Sequence, residues 1–482
     1  MIGINIVLIQ CNWNNIENIY PNLASLVPYQ PTELCYIAPL LKEHNIKIID
    51  AFLDDLSYSR IGKMVADFQA DAILMDTANT YLFWRCCYLN IDIVRDTIKS
   101  IRKTCNAKCI IFGPHGTVEP KWALKKTGAD FVIRGEPEFS VSDFINSNFD
   151  ESTLGVVSMD HLDNGIAEVT DLDALPIPDY SSLKMERYKG HAWLNEKDLL
   201  RHGALIEYSR GCPFYCSFCF RNGFRDKFRM KSAERVIREI SYINEMYKIN
   251  YFFFIDEMFN VDNENFRKLL LGLKELDIKY GCQCRPDVMS KEIIDLMSES
   301  GCIYIEYGLE SINKEMRERI GKNLNIKKSI SMINYSKNKI QNVVYNFLDF
   351  STIDLIIADS TMQSEKVNGS FGFYSDTKAL ENIVFYPGTE LFNELKKKLD
   401  TKYGGWDLSV RLYWLSVKLS QNREKSIWKR EIWKYVLLHY PMIIIKFLMS
   451  FHCLYTPLEI SYGHKKDERS TRDVNRKKHK KN

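Results

Sequence analysis

Gly211-Cys212-Pro213-Phe214-Tyr215-Cys216-Ser217-Phe218-Cys219 sets three cysteines at the spacing Cys-x3-Cys-x2-Cys. Thiolates this close along a chain can converge on one iron–sulfur cluster. A cubane of four irons takes four ligands. The local run supplies three, so one iron is left open to an outside molecule. A zinc site and three unrelated core thiols compete with this reading. Zinc usually takes four ligands in paired knuckles, and no second Cys-x2-Cys or His pair follows at finger spacing. The run follows Ala204-Leu205-Ile206-Glu207-Tyr208-Ser209-Arg210, a strand ending in a turn. Ser232 then has the chemistry of an N-cap, ahead of an amphipathic helix that begins at Ala233. A loop leading from strand to helix is where a parallel α/β barrel keeps its active site.

Downstream the alternation continues. The pattern predicts a strand at 251–255 ending in Asp256-Glu257, a helix at 263–276, and a strand at 279–284 ending in Arg285-Pro286-Asp287. A helix at 291–300 and a strand at 302–307 ending in Gly308-Leu309-Glu310-Ser311 follow. Charged and polar strand ends are how a barrel mouth collects its site. Residues 342–350 look strand-like, 351–375 are irregular, and 380–391 carry a last strand and a Pro387-Gly388-Thr389 loop. The expectation is an open barrel of about six strands across residues 191–400. Cys282 and Cys284 share one face of a strand, because alternate side chains do. They and Cys302 are expected to be buried thiols rather than hydrogen donors.

Upstream, residues 1–150 alternate strands (4–9, 46–51, 72–77, 108–112, 131–134) with helices (32–44 with Thr32 as cap, 91–104, 122–127). Continuous apolar strands in β-α alternation predict a doubly wound, Rossmann-like parallel sheet. Ligands of such sheets bind beyond the carboxyl ends of the strands. Those ends are Gln10, Asp76-Thr77, Gly113-Pro114-His115-Gly116-Thr117 and Gly135-Glu136-Pro137-Glu138. Residues 151–190 form a linker in which Asp171–Tyr180, with two prolines, is expected to be an extended crossing. Residues 401–482 are expected to be a helical extension with a basic, solvated end. The apolar run at 432–455 is broken by Lys434, His439, Pro441 and Lys446, which argues against a spanning helix.

The cysteine triplet resembles the signature of radical S-adenosylmethionine (SAM) enzymes. In that family the methionine end of SAM fills the open iron of a 4Fe-4S cluster, and the reduced cluster splits SAM to a 5′-deoxyadenosyl radical. The resemblance implies that Cys212, Cys216 and Cys219 hold the cluster. It also implies SAM contacts from Asp256, Glu257, Arg285, Glu310 and Ser311, with Phe218 near the adenine. The first domain resembles the cobalamin-binding domain that precedes many radical SAM domains. The resemblance rests on Pro31–Leu41, Gly113-Pro114-His115 and Arg134-Gly135-Glu136-Pro137-Glu138. It implies cobalamin beyond Gln10, Thr77, Gly113, Pro114, His115, Gly135 and Glu136. The Asp-x-His-x-x-Gly motif that ligates cobalt in the methionine-synthase type of domain is absent, so any cobalamin would lack that histidine ligand.

The activity so implied is methyl transfer to an unactivated carbon of a small-molecule or peptide substrate. The alternatives are a cobalamin-using cyclisation or rearrangement, and a sensor that binds cluster or cobalamin without catalysis. A methylthiotransferase is disfavoured, because the first domain has no second three-cysteine set. The family also implies an electron donor such as flavodoxin or ferredoxin. A formal net charge of +3 over 482 residues implies no broad nucleic-acid footprint. Thirteen cysteines spread over this length are not a disulfide framework. The chain opens directly on a strand, without the basic start of a signal peptide. The expected compartment is the cytoplasm, which suits an oxygen-sensitive cluster.

Overall fold

A computed structural model of the chain describes residues 3–15, 28–161, 164–188, 203–221, 225–349, 381–399, 405–410 and 412–413. The expectations for 351–375 and for nearly all of the C-terminal extension lie outside the described residues. The described residues belong to one unit that runs to Glu424.

Apolar runs of five or six residues, buried on both faces, build the first sheet. Its strands are β1 (Asn5–Gln10), β2 (Asn45–Asp50), β3 (Ala72–Asp76), β4 (Lys108–Phe112), β5 (Phe131–Ile133) and β6 (Val156–Val157). The order is β2-β1-β3-β4-β5-β6, parallel except for β6, which pairs antiparallel with β5. Ile6 and Leu8 face α1 (Thr32–Leu40) and α6 (Pro137–Asn146). Val7 and Ile9 face α2 (Tyr58–Asp67), α3 (Asp92–Ile101) and, past α4 (Pro114–Val118), α5 (Pro120–Thr127). The sheet is therefore doubly wound, and its strand order reverses between β1 and β3.

Two local expectations change. Thr32 is the first residue of α1 and not its cap. Pro31 holds the cap position, and the Thr32 hydroxyl donates to Glu33 at 3.2 Å. The helix ends at Leu40, because Pro39 interrupts the hydrogen-bond ladder. Pro39 has no N–H, so the Cys35 carbonyl is unclaimed within the helix; the Asp179 N–H takes it at 2.9 Å. That bond docks the crossing segment on the first domain. Within the crossing, Leu172–Ala174 forms a 3₁₀ turn, with the Asp171 side chain accepting from the Asp173 N–H.

The second sheet contains β7 (Gly203–Ile206), β10 (Tyr251–Phe254), β11 (Lys279–Cys284), β12 (Cys302–Glu310), β13 (Asn342–Asp349) and β14 (Glu381–Asn382). All neighbours are parallel, in the order β14-β13-β12-β11-β10-β7, as an open six-stranded barrel requires. Between β7 and β10, a ribbon of β8 (Ser209–Arg210) and β9 (Arg229–Met230) precedes α7 (Ala233–Tyr247). The remaining helices are α8 (Glu264–Glu275), α9 (Lys291–Glu299), α10 (Lys314–Arg319), α11 (Ile326–Lys337) and α12 (Glu390–Leu399). Ser232, Asn263 and Ser290 cap α7, α8 and α9 by accepting backbone N–H bonds.

Alternation along the strands separates two layers. Phe252, Phe254, Tyr280 and Cys282 pack under the helices. Phe253, Tyr251 and Tyr304 point inward and join the core of the first domain. Gly281 gives these rings room, since a Cβ there would lie 2.7 Å from the Tyr251 hydroxyl oxygen. The Cys282 and Cys284 sulfurs are 3.7 Å apart, and both residues, like Cys302, are buried. Among the described residues, no helix is long and apolar enough to cross a membrane.

Candidate active site

The three cysteines sit on a loop held at its neck by the β8–β9 ribbon. Gly211 opens the loop at φ +84°, and a side chain there would collide with the Lys227 carbonyl. Only glycine adopts this backbone without strain at such an approach. The Gly211 N–H donates to Glu257 Oε2 at 2.9 Å. Further along, the Ser217 N–H donates to the Ile320 carbonyl at 2.9 Å, and the Leu391 N–H donates to the Ser217 carbonyl at 3.0 Å. The first turn of α12 and the α10 exit thus strap the cysteine loop. Gly321, at φ +68°, passes beneath the Tyr215 carbonyl, 2.8 Å from where a Cβ would lie.

Cys212, Cys216 and Cys219 line one cavity of about 340 Å³ together with Phe214, Phe218, Glu257, Arg285, Glu310 and Lys322. Among the described residues, no three His, Cys, Asp or Glu side chains converge on a single ion position. Three thiolates on separate irons of a cubane need share no such position. Burial pushes all three thiols above the ordinary cysteine range, Cys219 to about 12, while Lys322 pulls each of them back. A metal that binds them therefore displaces protons.

Not all the residues expected to hold SAM meet here. Glu257, Arg285, Glu310 and Phe218 reach the cavity; Asp256 and Ser311 do not. Asp256 turns inward and clamps the β7–β8 turn, accepting from the Tyr208 N–H at 3.2 Å and the Ser209 N–H at 2.5 Å. Burial raises its carboxyl to about 7. The Ser311 hydroxyl accepts from the Asn313 N–H at 3.1 Å in the turn before α10. Arg285 stacks on Phe214, 3.8 Å from the ring centre, and pairs with Asp287 at 2.7 Å. Glu310 stands at φ +62° where the β12–β13 register slips, a conformation that costs a non-glycine residue about 1–3 kcal/mol. It pairs with Lys322 at 2.9 Å. Burial disfavours the Lys322 charge, but Glu310 and Cys216 outweigh it and hold the ammonium's pKa above its usual value.

Sequence reasoning missed Lys322, Arg85 and the inward row Gln283, Glu306 and Asn346. Alternation along β11, β12 and β13 places that row on the inner face. Nothing local marks Lys322 or Arg85.

The first-sheet candidates line its carboxyl edge but not this cavity. His115 is fully buried: its Nδ1 lies 3.1 Å from the Thr77 hydroxyl, and its Nε2 lies 2.6 Å from the Tyr88 carbonyl. A carbonyl only accepts, so Nε2 carries the proton and Nδ1 accepts from Thr77. Burial lowers the imidazole to about 3, so it stays neutral. Gly113, at φ +109°, presses on Asp76 and Thr77, and Pro114 opens α4. Gln10 donates to Asn79 Oδ1 at 2.7 Å, while Gln10 Oε1 and Asn79 Nδ2 are buried without hydrogen-bond partners. Gly135, at φ +88°, bridges to Ala167.

The turn after Gly135 reaches across to the cysteine loop. Glu136 pairs with Arg229 at 2.8 Å, and Glu138 pairs with Arg210 at 2.5 Å. Arg210 also holds Glu207 at 2.9 Å, and Arg225 joins Glu207 to Glu257 at 3.4 and 2.5 Å. A buried ionic clasp therefore links the β5 strand end to the neck of the loop and to the Glu257 that holds Gly211.

These features match a known class. Residues 206–352 match the profile of the Radical SAM superfamily, so the chain carries a radical SAM domain. The 4Fe-4S cluster and SAM that it implies suit three thiols and paired charges around one cavity.

Among relatives, the chain is similar to an uncharacterized methyltransferase of Pyrococcus horikoshii, at 27% identity over 75% of this chain and 77% of that one. It is also similar to the anaerobic magnesium-protoporphyrin IX monomethyl ester cyclase of Rubrivivax gelatinosus, at 22% identity over 77% of this chain and 67% of that one. Its fold is that of the cobalamin-dependent S-adenosylmethionine radical enzyme OxsB, solved with aqua-cobalamin and S-adenosylmethionine bound. That likeness has a TM-score of 0.62 at 15% identity and covers 86% of this chain and 66% of that one.

Proposed function

We propose that this chain is a cobalamin-dependent radical SAM methyltransferase acting on an unactivated carbon of a small molecule or peptide. The observation that carries the proposal is the shared cavity, lined by three cysteines together with Glu257, Arg285, Glu310 and Lys322. Cys212, Cys216 and Cys219 would hold the cluster, which supplies the electron that cleaves SAM. Arg285 and Lys322 suit the SAM carboxylate, and Glu310 suits its ammonium or ribose. Phe218 offers a ring for the adenine. Phe220, Leu348, Ile383, Val384 and Tyr386 supply an apolar wall that keeps water from a reactive carbon.

Cobalamin would lie beyond the first sheet's strand ends at Gln10, Thr77, Gly113, Pro114, His115, Gly135 and Glu136. The unmet Gln10 Oε1 and Asn79 Nδ2 are polar atoms suited to amide groups of a ligand. Both His115 nitrogens are already engaged, which supports cobalamin without a histidine ligand. When bound, cobalamin supplies a methyl group that a carbon radical can accept, which the electrophilic sulfonium methyl of SAM does poorly. The Glu136 and Glu138 carboxylates are committed to arginines, so their role would be to hold the two domains together. The chain would work in the cytoplasm with a flavodoxin- or ferredoxin-like donor.

The name of the Rubrivivax relative favours ring closure as the second reading. SAM carrying an isotope-labelled methyl group separates the two. Anaerobically reconstituted protein, supplied with cobalamin and screened against metabolite extracts, should consume two SAM per product. One SAM yields 5′-deoxyadenosine and the other yields S-adenosylhomocysteine, with the label in the product. Unlabelled product with 5′-deoxyadenosine still accumulating would hand the assignment to cyclisation.

A further inference from the structure

One cation in the cysteine cavity comes from the first domain. Arg85 lies on the 3₁₀ turn Tyr81–Cys86 and reaches the same cavity as Cys212, Cys216 and Cys219. The other two cations on the wall are neutralised, Arg285 by Asp287 at 2.7 Å and Lys322 by Glu310 at 2.9 Å. Arg85 has no such carboxylate partner among the described residues. Its Nη1 donates to the Asp256 backbone carbonyl at 3.3 Å, and its Nη2 is buried without a hydrogen-bond partner. An incompletely paired cation beside a cluster site keeps most of its field, because little counter-charge cancels it. That field also helps to hold Glu257, on the same cavity wall, ionised.

The turn that carries Arg85 is anchored to the first sheet. Trp84 Nε1 donates to Asp76 at 2.7 Å, and the Tyr81 hydroxyl donates to Glu138 at 2.6 Å. Asp76 ends β3 and Glu138 follows β5, so Arg85 is aimed at the cavity by the strand ends of the other sheet.

We infer that Arg85 is a tuning residue: its charge raises the reduction potential of the cluster held by Cys212, Cys216 and Cys219, so that the first domain helps the cluster to accept an electron. The inference rests on the cluster assignment above. One-electron reduction, with dithionite as the donor, adds one negative charge to the cluster, and a nearby cation stabilises the product over the reactant.

The test is a potentiometric titration of the full-length, anaerobically reconstituted chain, followed by the electron paramagnetic resonance signal of the reduced cluster. Iron and sulfide are measured in every sample. Arg85→Gln and Arg85→Met should retain iron and fall about tenfold in the ratio of reduced to oxidised cluster at fixed potential, a shift of ~59 mV to the negative for one electron. Arg85→Lys keeps the charge and should titrate close to the wild type. Unchanged potentials in the neutral variants, or an equal fall in Arg85→Lys, would overturn the inference. Loss of the cluster in both neutral variants would make Arg85 a support of the loop and would overturn it too. A wild-type chain without iron would instead break the cluster assignment itself.

Discussion

The two parallel sheets end their strands in similar residues and use them in opposite ways. In the barrel, Glu257, Arg285 and Glu310 stand around an open cavity. In the first sheet, Gln10, Thr77, His115 and Glu136 are at most 1% exposed, and most of their polar atoms are already bonded within the protein. Large rings pack at that edge: Trp406 lies 4.2 Å from His115 between ring centres, and Phe220 and Tyr386 pack beside it. The rule that ligands gather at carboxyl ends of parallel strands says where a site can form. What packs beyond those ends decides how each edge is used.

The largest effect expected is on the open side. Alanine at Cys212, Cys216 or Cys219 should abolish SAM cleavage and most bound iron, read as 5′-deoxyadenosine formed under dithionite and as iron per chain. A triple variant that kept both would end the comparison.

The ionic clasp between the sheets and the neck of the loop should instead respond in stability. Arg210→Met leaves Glu138 and Glu207 buried without this shared cation, a loss of about 3–5 kcal/mol in chemical denaturation. Gly211→Ala forces a β-carbon into a left-handed backbone and against Lys227. It should cost about 1–3 kcal/mol and lower iron occupancy, because it displaces the first ligand of the loop.

Asp256 sharpens the comparison through pH. Its carboxyl is raised by burial to about 7 in the folded chain, against about 3.9 when unfolded. Between these values the folded state holds a proton that the unfolded state has lost. Its contribution is full below pH ~4 and falls as pH rises towards 7, by at most about 1.4 kcal/mol per pH unit. Asp256→Asn should flatten that slope in denaturation midpoints measured from pH 4 to 7, and an unchanged slope would refute the assignment. The smallest effect expected is at Cys282. Cys282→Ala should cost about 1 kcal/mol and leave SAM cleavage intact, since the thiol sits between sheet and helices.

Much of this was legible along the chain. The cysteine spacing, the buried strands and the cap Ser232 depend on neighbours within a few residues. That Cys282 and Cys284 share a face followed from strand alternation; both are buried, and Cys284 also lines the cysteine cavity. Thr32 misled as a cap because Pro31 holds that position and the Thr32 hydroxyl turns to Glu33. The adjacent acids Asp256 and Glu257 look alike in sequence, yet one clamps a turn and the other lines the cavity.

By itself the sequence determined the class of chemistry and the two-sheet architecture, because ligand spacing and apolar periodicity are short-range properties of a chain. Only the tertiary structure decided that Ser311 serves a turn, that Glu136 and Glu138 are committed to Arg229 and Arg210, and that Lys322 and Arg85 join the cysteines. Those pairings span up to about a hundred residues or more. A buried charge takes whichever opposite charge folding brings near it, and neither spacing nor composition records that choice.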